Sequence, residues 1–305
     1  MLRFLMRRLV VSALVAITVS ILAFGLLRLS GDLAAELAGS GASEEQIRKV
    51  AMAYGLDRPT YIQYLDWAGS ALGGDFGKSL FTGEAVSSII ANALPVTATL
   101  AFFSLVLILV LAIPIGVLAA TYPNSWIDRG ALAFATFGQA MPSFWFGLML
   151  ILVFGVWLGW TPISGQESWS NFILPTATVA LSSLAAPMRL TRAGMLEVMQ
   201  SDFIRMAQAK GLPQRIVLYK HALRNAILPV VSVLMVTFGH ILAGTVVVET
   251  VFSLHGLGYE VFHAILRADF PVVQTVVAFV SITYILLTLM SDLINAQLDP
   301  RIALS

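Results

Sequence analysis

The chain has 305 residues, of which 58% are apolar and 11% charged, with a formal net charge of +1 and a mean hydropathy of +0.86. Soluble domains usually carry about 25% charged residues, so the composition excludes a soluble globular protein and indicates one that spans a membrane. The absence of cysteine removes disulfides, thiolate metal sites and cysteine nucleophiles, and long uncharged runs in place of alternating segments of about 10 residues exclude a transmembrane barrel.

Arg3, Arg7 and Arg8 precede an uncharged run from Leu9 to Leu27. A cleaved signal peptide opens in the same way, but its apolar core is usually about 7 to 15 residues. The longer run predicts a retained first span within segment 1–28. From Leu29 to Asn92 the chain turns polar, which predicts an extracytoplasmic helical segment over 29–92. Ser43-Glu-Glu-Gln46 is a capping-box pattern that opens a helix, Gly55 can close it, and Pro59 suits the first position of the next one. That second helix carries Tyr61, Tyr64 and Trp67, aromatics suited to the membrane interface. The stretch from Gly73 to Ser79 resembles a phosphate loop, but a Walker A needs glycine five positions before Gly77, where Leu72 stands. That reading is rejected.

Further apolar runs follow at Leu94 to Ala120, Ala131 to Leu158, Phe172 to about Ala186, Ala226 to Val248 and Pro271 to Ile294. With a hydrocarbon core that needs about 20 residues per helix, these predict six spans and a five-helix core over 93–305. Pro95, Pro114, Pro142, Pro175 and Pro187 lie in or at the ends of these runs, where neighbours can re-satisfy freed carbonyls. Kinks are expected there, not breaks in the count of spans. The segment from Arg189 to Arg224 holds seven basic residues against Glu197 and Asp202, whereas Arg28 to Asn92 holds five basic and eight acidic. By the positive-inside rule, the basic segment and both termini are expected to be cytoplasmic.

No catalytic set or metal-ligand spacing emerges. His221, His255 and His263 are scattered, and His240 stands alone inside the fifth apolar run. It reads as a hydrogen-bonded contact between helices, ahead of a contact with substrate or metal, and Gly239 and Gly244 beside it permit close helix approach.

The basic segment 189–225 carries the most information. Gly211 and Pro213 divide it into helix, turn, helix. Ala207 and Ala209 are small enough for another surface to come close, and Gly211 can adopt a backbone conformation closed to other residues. The second helix places Ile216, Leu223 and Ile227 on one face, with Lys220 and Arg224 on a neighbouring one. That pattern suits docking to a partner on one side and lipid head groups on the other. A purely electrostatic membrane anchor is the plain alternative.

Arg205-Met-Ala-Gln-Ala-Lys-Gly211 followed by His221-Ala-Leu-Arg-Asn-Ala-Ile-Leu-Pro229 resembles the coupling loop of bacterial ABC-importer permeases, in the version of the dipeptide, oligopeptide and nickel permeases. Tyr54-Gly-Leu-Asp-Arg-Pro59, Gly74-Asp-Phe-Gly77, Val248-Glu-Thr-Val-Phe252, Gly256-Leu-Gly258, Asp269-Phe-Pro-Val-Val-Gln274 and Asp299-Pro-Arg-Ile302 are similar to that family's signatures and occur in its order. Two departures stand out. Arg205 occupies a position that is glutamate in the general importer pattern, with longer spacing to Ile-Leu-Pro, and Leu254-His255 stands where the family often has Trp-Pro.

The resemblance implies an all-α integral membrane protein with the six-helix type I importer permease fold, in the bacterial inner membrane. It implies a non-catalytic subunit that shares a translocation pathway with a second homologous permease. Two cytoplasmic ATPase subunits, which hold the ATP and Mg, and an extracytoplasmic solute-binding protein would complete the importer. Neither cofactor nor metal on this chain and no nucleic-acid partner are expected. Arg205, Ala207, Ala209, Lys210, Gly211, Leu212 and Arg215 would form the ATPase-coupling loop. His240 and Gln139 are candidates for the pathway, and His255, Gly256 and Gly258 for contact with the binding protein. Di- or oligopeptides are the expected cargo, with nickel, glutathione or opine-like solutes as alternatives. Eleven methionines scattered along the chain read as ordinary packing. A secondary transporter or channel would show internal repeats or several intramembrane charges, and an intramembrane enzyme a paired catalytic set.

Overall fold

The computed structural model describes residues 2–29, 33–39 and 41–298. Among them the secondary structure is helical, apart from one isolated bridge between Lys78 and Ala85. The signature at Asp299 to Ile302 lies outside the described residues.

Helix α1 (Leu2–Leu29) carries the first apolar run. A small layer follows, made of α2 (Leu33–Ala38), α3 (Glu44–Ala53) and α4 (Thr60–Leu72). The expected capping box forms: Ser43 Oγ accepts the Gln46 N–H, and Gln46 Oε1 accepts the Ser43 N–H at 2.7 Å. Gly55, at φ +65°, turns the chain out of α3. Pro59 sits one position before α4 instead of at its first residue. Tyr64 and Trp67 face α1, with ring centroids 5.6 and 6.3 Å from Phe24, and Tyr64 Oη shares a hydrogen bond with Ser20 Oγ. Only Tyr61 of the three aromatics points freely outward.

Helix α5 (Val86–Thr121) has 36 residues, hence a length of about 54 Å at 1.5 Å per residue, well beyond a hydrocarbon core of about 30 Å. It starts ahead of the apolar run and continues through Pro95 and Pro114. Ser125 Oγ caps α6 (Trp126–Ala140) through the Asp128 N–H.

The next run departs from expectation. Instead of one kinked span over 131–158, α6 and α7 (Ser143–Leu150, continued as a π-helix over Ile151–Trp157) meet at 101°. Met141 and Pro142 are both extended, at ψ 135° and 128°. A residue before proline is pushed out of the helical region, and here the proline itself also stays extended, so the helix stops and restarts.

Helices α8 (Ile173–Ser183) and α9 (Ala185–Met199) meet at a 50° bend. Pro187 has no N–H for the Ser183 carbonyl, which places the break there. Helix α9 runs to Met199, so Arg189 and Arg192 belong to a helix and not to a loop. Then come α10 (Asp202–Ala209), α11 (Gln214–Ile216), a π-helical stretch Val217–Ala222 and α12 (Leu223–Ala226). These lead at a 60° bend into α13 (Leu228–Gly244), and Pro229 denies a donor to the Asn225 carbonyl at that point. Helices α14 (Val246–Phe252), α15 (Leu257–Leu266) and α16 (Phe270–Leu298) complete the chain. By length and apolarity, α1, α5 and α16 can each cross a membrane, and counting each bent pair as one span gives six among the described residues.

Helices in lipid gain little from hydrophobic burial against each other, so close packing and hydrogen bonds hold them. A Cβ on Gly116 of α5 would stand 2.8 Å from the Met188 carbonyl oxygen of α9, and one on Gly239 of α13 would stand 2.9 Å from the Tyr284 ring of α16. The close approach expected at Gly239 is therefore present; the packing of Gly244 lies outside the described residues. Arg8 and Asp292 pair at 3.0 Å between α1 and α16. Three apolar clusters form the core. One, around Val86 and Ile90, binds the start of α5 to α15 and α16. The largest, around Leu100, Ile108 and Met188, joins the middle helices, and the third, around Val117 and Ala120, joins the end of α5 to the basic segment.

Candidate functional site

The basic segment folds as helix, turn, helix. On α10, Ile204 and Ala207 are buried against Val117, Met195 and Val217. Lys210 ends the helix and Gly211 turns it at φ +73°. The Gly211 N–H donates to the Gln208 carbonyl at 2.9 Å and the Leu212 N–H to the Ala207 carbonyl at 3.4 Å. This pair of bonds is the Schellman arrangement, with Leu212 folding back beside Ala207 in the same cluster. Pro213 then starts the next helix.

Ala207 and Leu212 face their own chain, whereas Arg205, Ala209, Lys210, Gly211 and Arg215 are all exposed. The second helix buries Val217, Leu218, Ala222 and Ala226, and Leu223 and Ile227 are partly buried against the core. Six of its residues, Val217–Ala222, are π-helical. Ile216 is left exposed beside Tyr219, and Phe203 and Met206 are 45% and 60% exposed on α10. The turn therefore presents apolar side chains among its cations.

Behind this segment Asp128 of α6 is buried, and its carboxylate receives Arg192 of α9 in a bidentate pair, at 2.6 Å from Nε and 2.7 Å from Nη2. The Asn124 N–H donates to the same carboxylate at 2.9 Å. Arg192 thus braces the α5–α6 connection instead of contributing a free positive charge.

A second site lies at the α8–α9 bend. A cavity of about 630 Å³ is lined there by Ser182, Ser183, Ser232, Thr237 and Tyr284, together with both candidate pathway residues, Gln139 and His240. Gln139 Oε1 accepts a bond from Arg189 Nη2 at 3.2 Å, and His240 is exposed to the cavity. Non-helical backbone at membrane depth is tolerated where it lines such a cavity. The bend and these polar side chains occur together, with Ala185, Ala186, Val233 and Val236 completing an otherwise apolar wall. The sequence offered Gln139 and His240 separately; the fold brings them to one space.

The segment after α14 gives a different result. Gly256 and Gly258 are buried. A Cβ on Gly256 would stand 2.5 Å from Thr97 Oγ1, and one on Gly258 would stand 2.7 Å from Val246 Cα. They leave room for the fully buried Glu249. Its Oε1 accepts from Thr97 Oγ1 and Thr245 Oγ1, each at 2.8 Å, and its Oε2 from the Tyr259 N–H at 3.0 Å. Thr97 Oγ1 in turn accepts the Leu257 N–H. Of the three expected contacts only His255 is exposed, stacked on Tyr259 at 4.6 Å. Burial raises the Glu260 carboxyl above its usual range, opposed by the charges of His255, His263 and Arg267. Asp269 holds the layer before α5: it accepts from Ser79 Oγ and from the Leu80 N–H. Val248 to Phe252 and Asp269 to Gln274 stood out in the sequence as signatures, yet nothing local showed that their acids close polar networks.

A bent-helix bundle of this kind, with a cavity at a helix break and an exposed basic turn, is a membrane permease architecture. The solved structure of an amino acid ABC transporter with histidines has the same fold, at a TM-score of 0.53 and 14% identity over 69% of this chain and 94% of that one. Residues 112–304 match the family described as binding-protein-dependent transport system inner membrane component, and residues 1–101 match its N-terminal model. A probable peptide ABC transporter permease of Sinorhizobium fredii is 36% identical over 308 residues, covering 98% of each chain. A glutathione transport system permease of Escherichia coli is 36% identical over 303 residues, covering 99% of each. The chain belongs to the family of binding-protein-dependent transport system inner membrane components. It is a multi-pass permease subunit of an ABC importer in the bacterial inner membrane.

Proposed function

We propose that this subunit conducts short peptides, with the cavity at the α8–α9 bend forming its share of the pathway. The observation that carries the reading is the full-length likeness to permeases named for peptides and for glutathione, itself a small peptide. The cavity supports it: Gln139, Ser183, Ser232 and His240 offer donors and acceptors suited to amide backbone. A second homologous permease closes the pathway from the other side, and an extracytoplasmic binding protein delivers the solute. The N- and C-termini and the basic turn face the cytoplasm. There Gly211 and its exposed neighbours seat in a groove of one of two ATPase subunits, which bind ATP and Mg. Closure of the ATPases moves the turn as a rigid body, and access alternates.

The test is uptake into proteoliposomes holding the whole importer with its binding protein. Labelled di- and tripeptides should accumulate with ATP inside, and unlabelled peptide, but not nickel, should compete. Competition by nickel with no effect of peptides would overturn the peptide reading.

A further inference from the structure

Helix α9 carries two arginines on successive turns, and only one of them is neutralised. Arg192 pairs with Asp128. Arg189 Nη2 donates instead to Gln139 Oε1, a neutral amide oxygen, and among the described residues no carboxylate stands within ion-pair distance of it. The two side chains reach in opposite directions along α6. The rise from Asp128 to Gln139 on that helix is about 16 Å at 1.5 Å per residue. Asp128 belongs to the first turn of α6, next to the polar connection that follows α5. The Arg189 guanidinium therefore lies near the middle of a hydrocarbon core of about 30 Å.

A cation at that depth is costly, and it is retained where it faces a bundle interior or a water-filled cavity, commonly on a solute path. Arg189 and Gln139 are both exposed, and their hydrogen bond lies in the open. The surface of α9 shows where that opening runs. Ala186, Arg189, Ala193 and Glu197 are exposed at spacings of three and four residues, so they form one stripe. Ala186 lines the cavity at the α8–α9 bend, as Gln139 does, and Glu197 stands near the end of the helix that leads into the basic segment. The stripe thus continues the cavity wall past Arg189. No acidic side chain lines the cavity, so a guanidinium at its edge makes the space favour an anion over a cation.

Building on the peptide pathway proposed for this cavity, we infer that Arg189 is its specificity-determining residue and pairs with the C-terminal carboxylate of the passing peptide. Guanidinium and carboxylate match as a planar, charge-assisted pair. Gln139 takes one N–H of the fork and holds it in place, and the remaining donors serve the cargo. A peptide with a blocked C-terminus, or a bare metal cation, leaves the guanidinium unneutralised and passes slowly.

The test uses the whole importer in proteoliposomes with its binding protein, and compares uptake of alanyl-alanine with that of its C-terminal amide. The binding protein is the same in every assay, so its own preference cancels between variants. Arg189→Gln should lower kcat/KM for the free acid about tenfold, the effect of one charge-assisted bond, and leave the amide unchanged. Arg189→Lys, which keeps the charge, should keep most of the preference for the acid. If Arg189→Gln does not assemble, Arg189→Met removes the same charge and carries the same comparison. Should the binding protein exclude the amide, saturation-transfer NMR of both probes on the permease–ATPase complex reads the same ratio. An equal loss for acid and amide overturns the inference, because a bracing contact with α6 or an ion pair with the second permease would affect both alike. So does an unchanged ratio. Either result leaves the peptide pathway standing, whereas a wild type that takes up and binds neither probe removes that pathway and the role of Arg189 together.

Discussion

Gly211 allows the docking of the turn to be separated from its folding. Its φ of +73° lies in the left-handed region, and a Cβ there would meet nothing within 4 Å. An L-residue therefore suffers only the backbone penalty of about 1–2 kcal/mol, partly offset by the 0.4–1 kcal/mol gained when the unfolded chain loses glycine's freedom. The net cost is about 1 kcal/mol, and it is the same for alanine and arginine because neither side chain touches its own protein. Asparagine, which tolerates this conformation, should cost less. Chemical denaturation of the detergent-solubilised permease should accordingly rank Gly211→Asn above Gly211→Ala, with Gly211→Arg level with alanine. Coupling should rank differently. In the reconstituted importer Gly211→Arg should abolish substrate-stimulated ATP hydrolysis, while Gly211→Ala retains a large part of it, since only the long side chain obstructs a partner. Normal transport by the arginine variant would refute the docking of this turn in an ATPase groove. A stability loss for arginine far beyond that for alanine would refute the claim that the site is open.

Other perturbations probe the remaining features. Glu249→Ala should destabilise the permease by about 3 kcal/mol, because it strands the hydroxyls of Thr97 and Thr245 and the Tyr259 N–H in a buried space; denaturation with an unchanged midpoint would contradict the network. Asp128→Ala should cost about 3 kcal/mol, the low end for a broken buried pair because the Arg192 side chain keeps 22% exposure. Adding Arg192→Met to it should recover part of that loss, and a double-mutant cycle without coupling would disprove the pairing. In the uptake assay His240→Leu and Gln139→Leu should each raise the apparent KM for peptide about tenfold, whereas Gln166→Ala, outside the cavity, should leave it unchanged. Equal behaviour of all three would remove the cavity from the pathway.

The readable features were those set by neighbouring residues. Ser43 and Gln46 meet three positions apart, Gly211 and Pro213 define a turn by backbone chemistry alone, and six apolar runs stand out against polar connections. Proline shows where local reading ends. Pro95 and Pro114 are carried inside an unbroken α5, whereas Met141 and Pro142 leave the helix and turn the chain by 101°; the residue type is shared, so the packing around each decides. The π-helical stretch Val217–Ala222 was not legible, because its period differs from the α-helical one assumed. Glu249 and Thr97 lie 152 residues apart, and no local pattern announces that the acid of one signature is satisfied by a hydroxyl on α5. Gly256 and Gly258 stood out in the sequence, but only the fold shows that tight packing around that buried acid demands glycine there.

The length of α5 has a mechanical consequence. Its two ends belong to different apolar clusters, one shared with α15 and α16 and the other with Ile204, Val217 and Leu218 of the basic segment. A beam of about 54 Å pivoting at its middle by about 5° moves each tip by about 2 Å, in opposite directions. A push delivered at the basic turn would thus arrive at the far side of the bilayer reversed in sense and undiminished in size. Opening on one face and closing on the other would be two ends of one rotation.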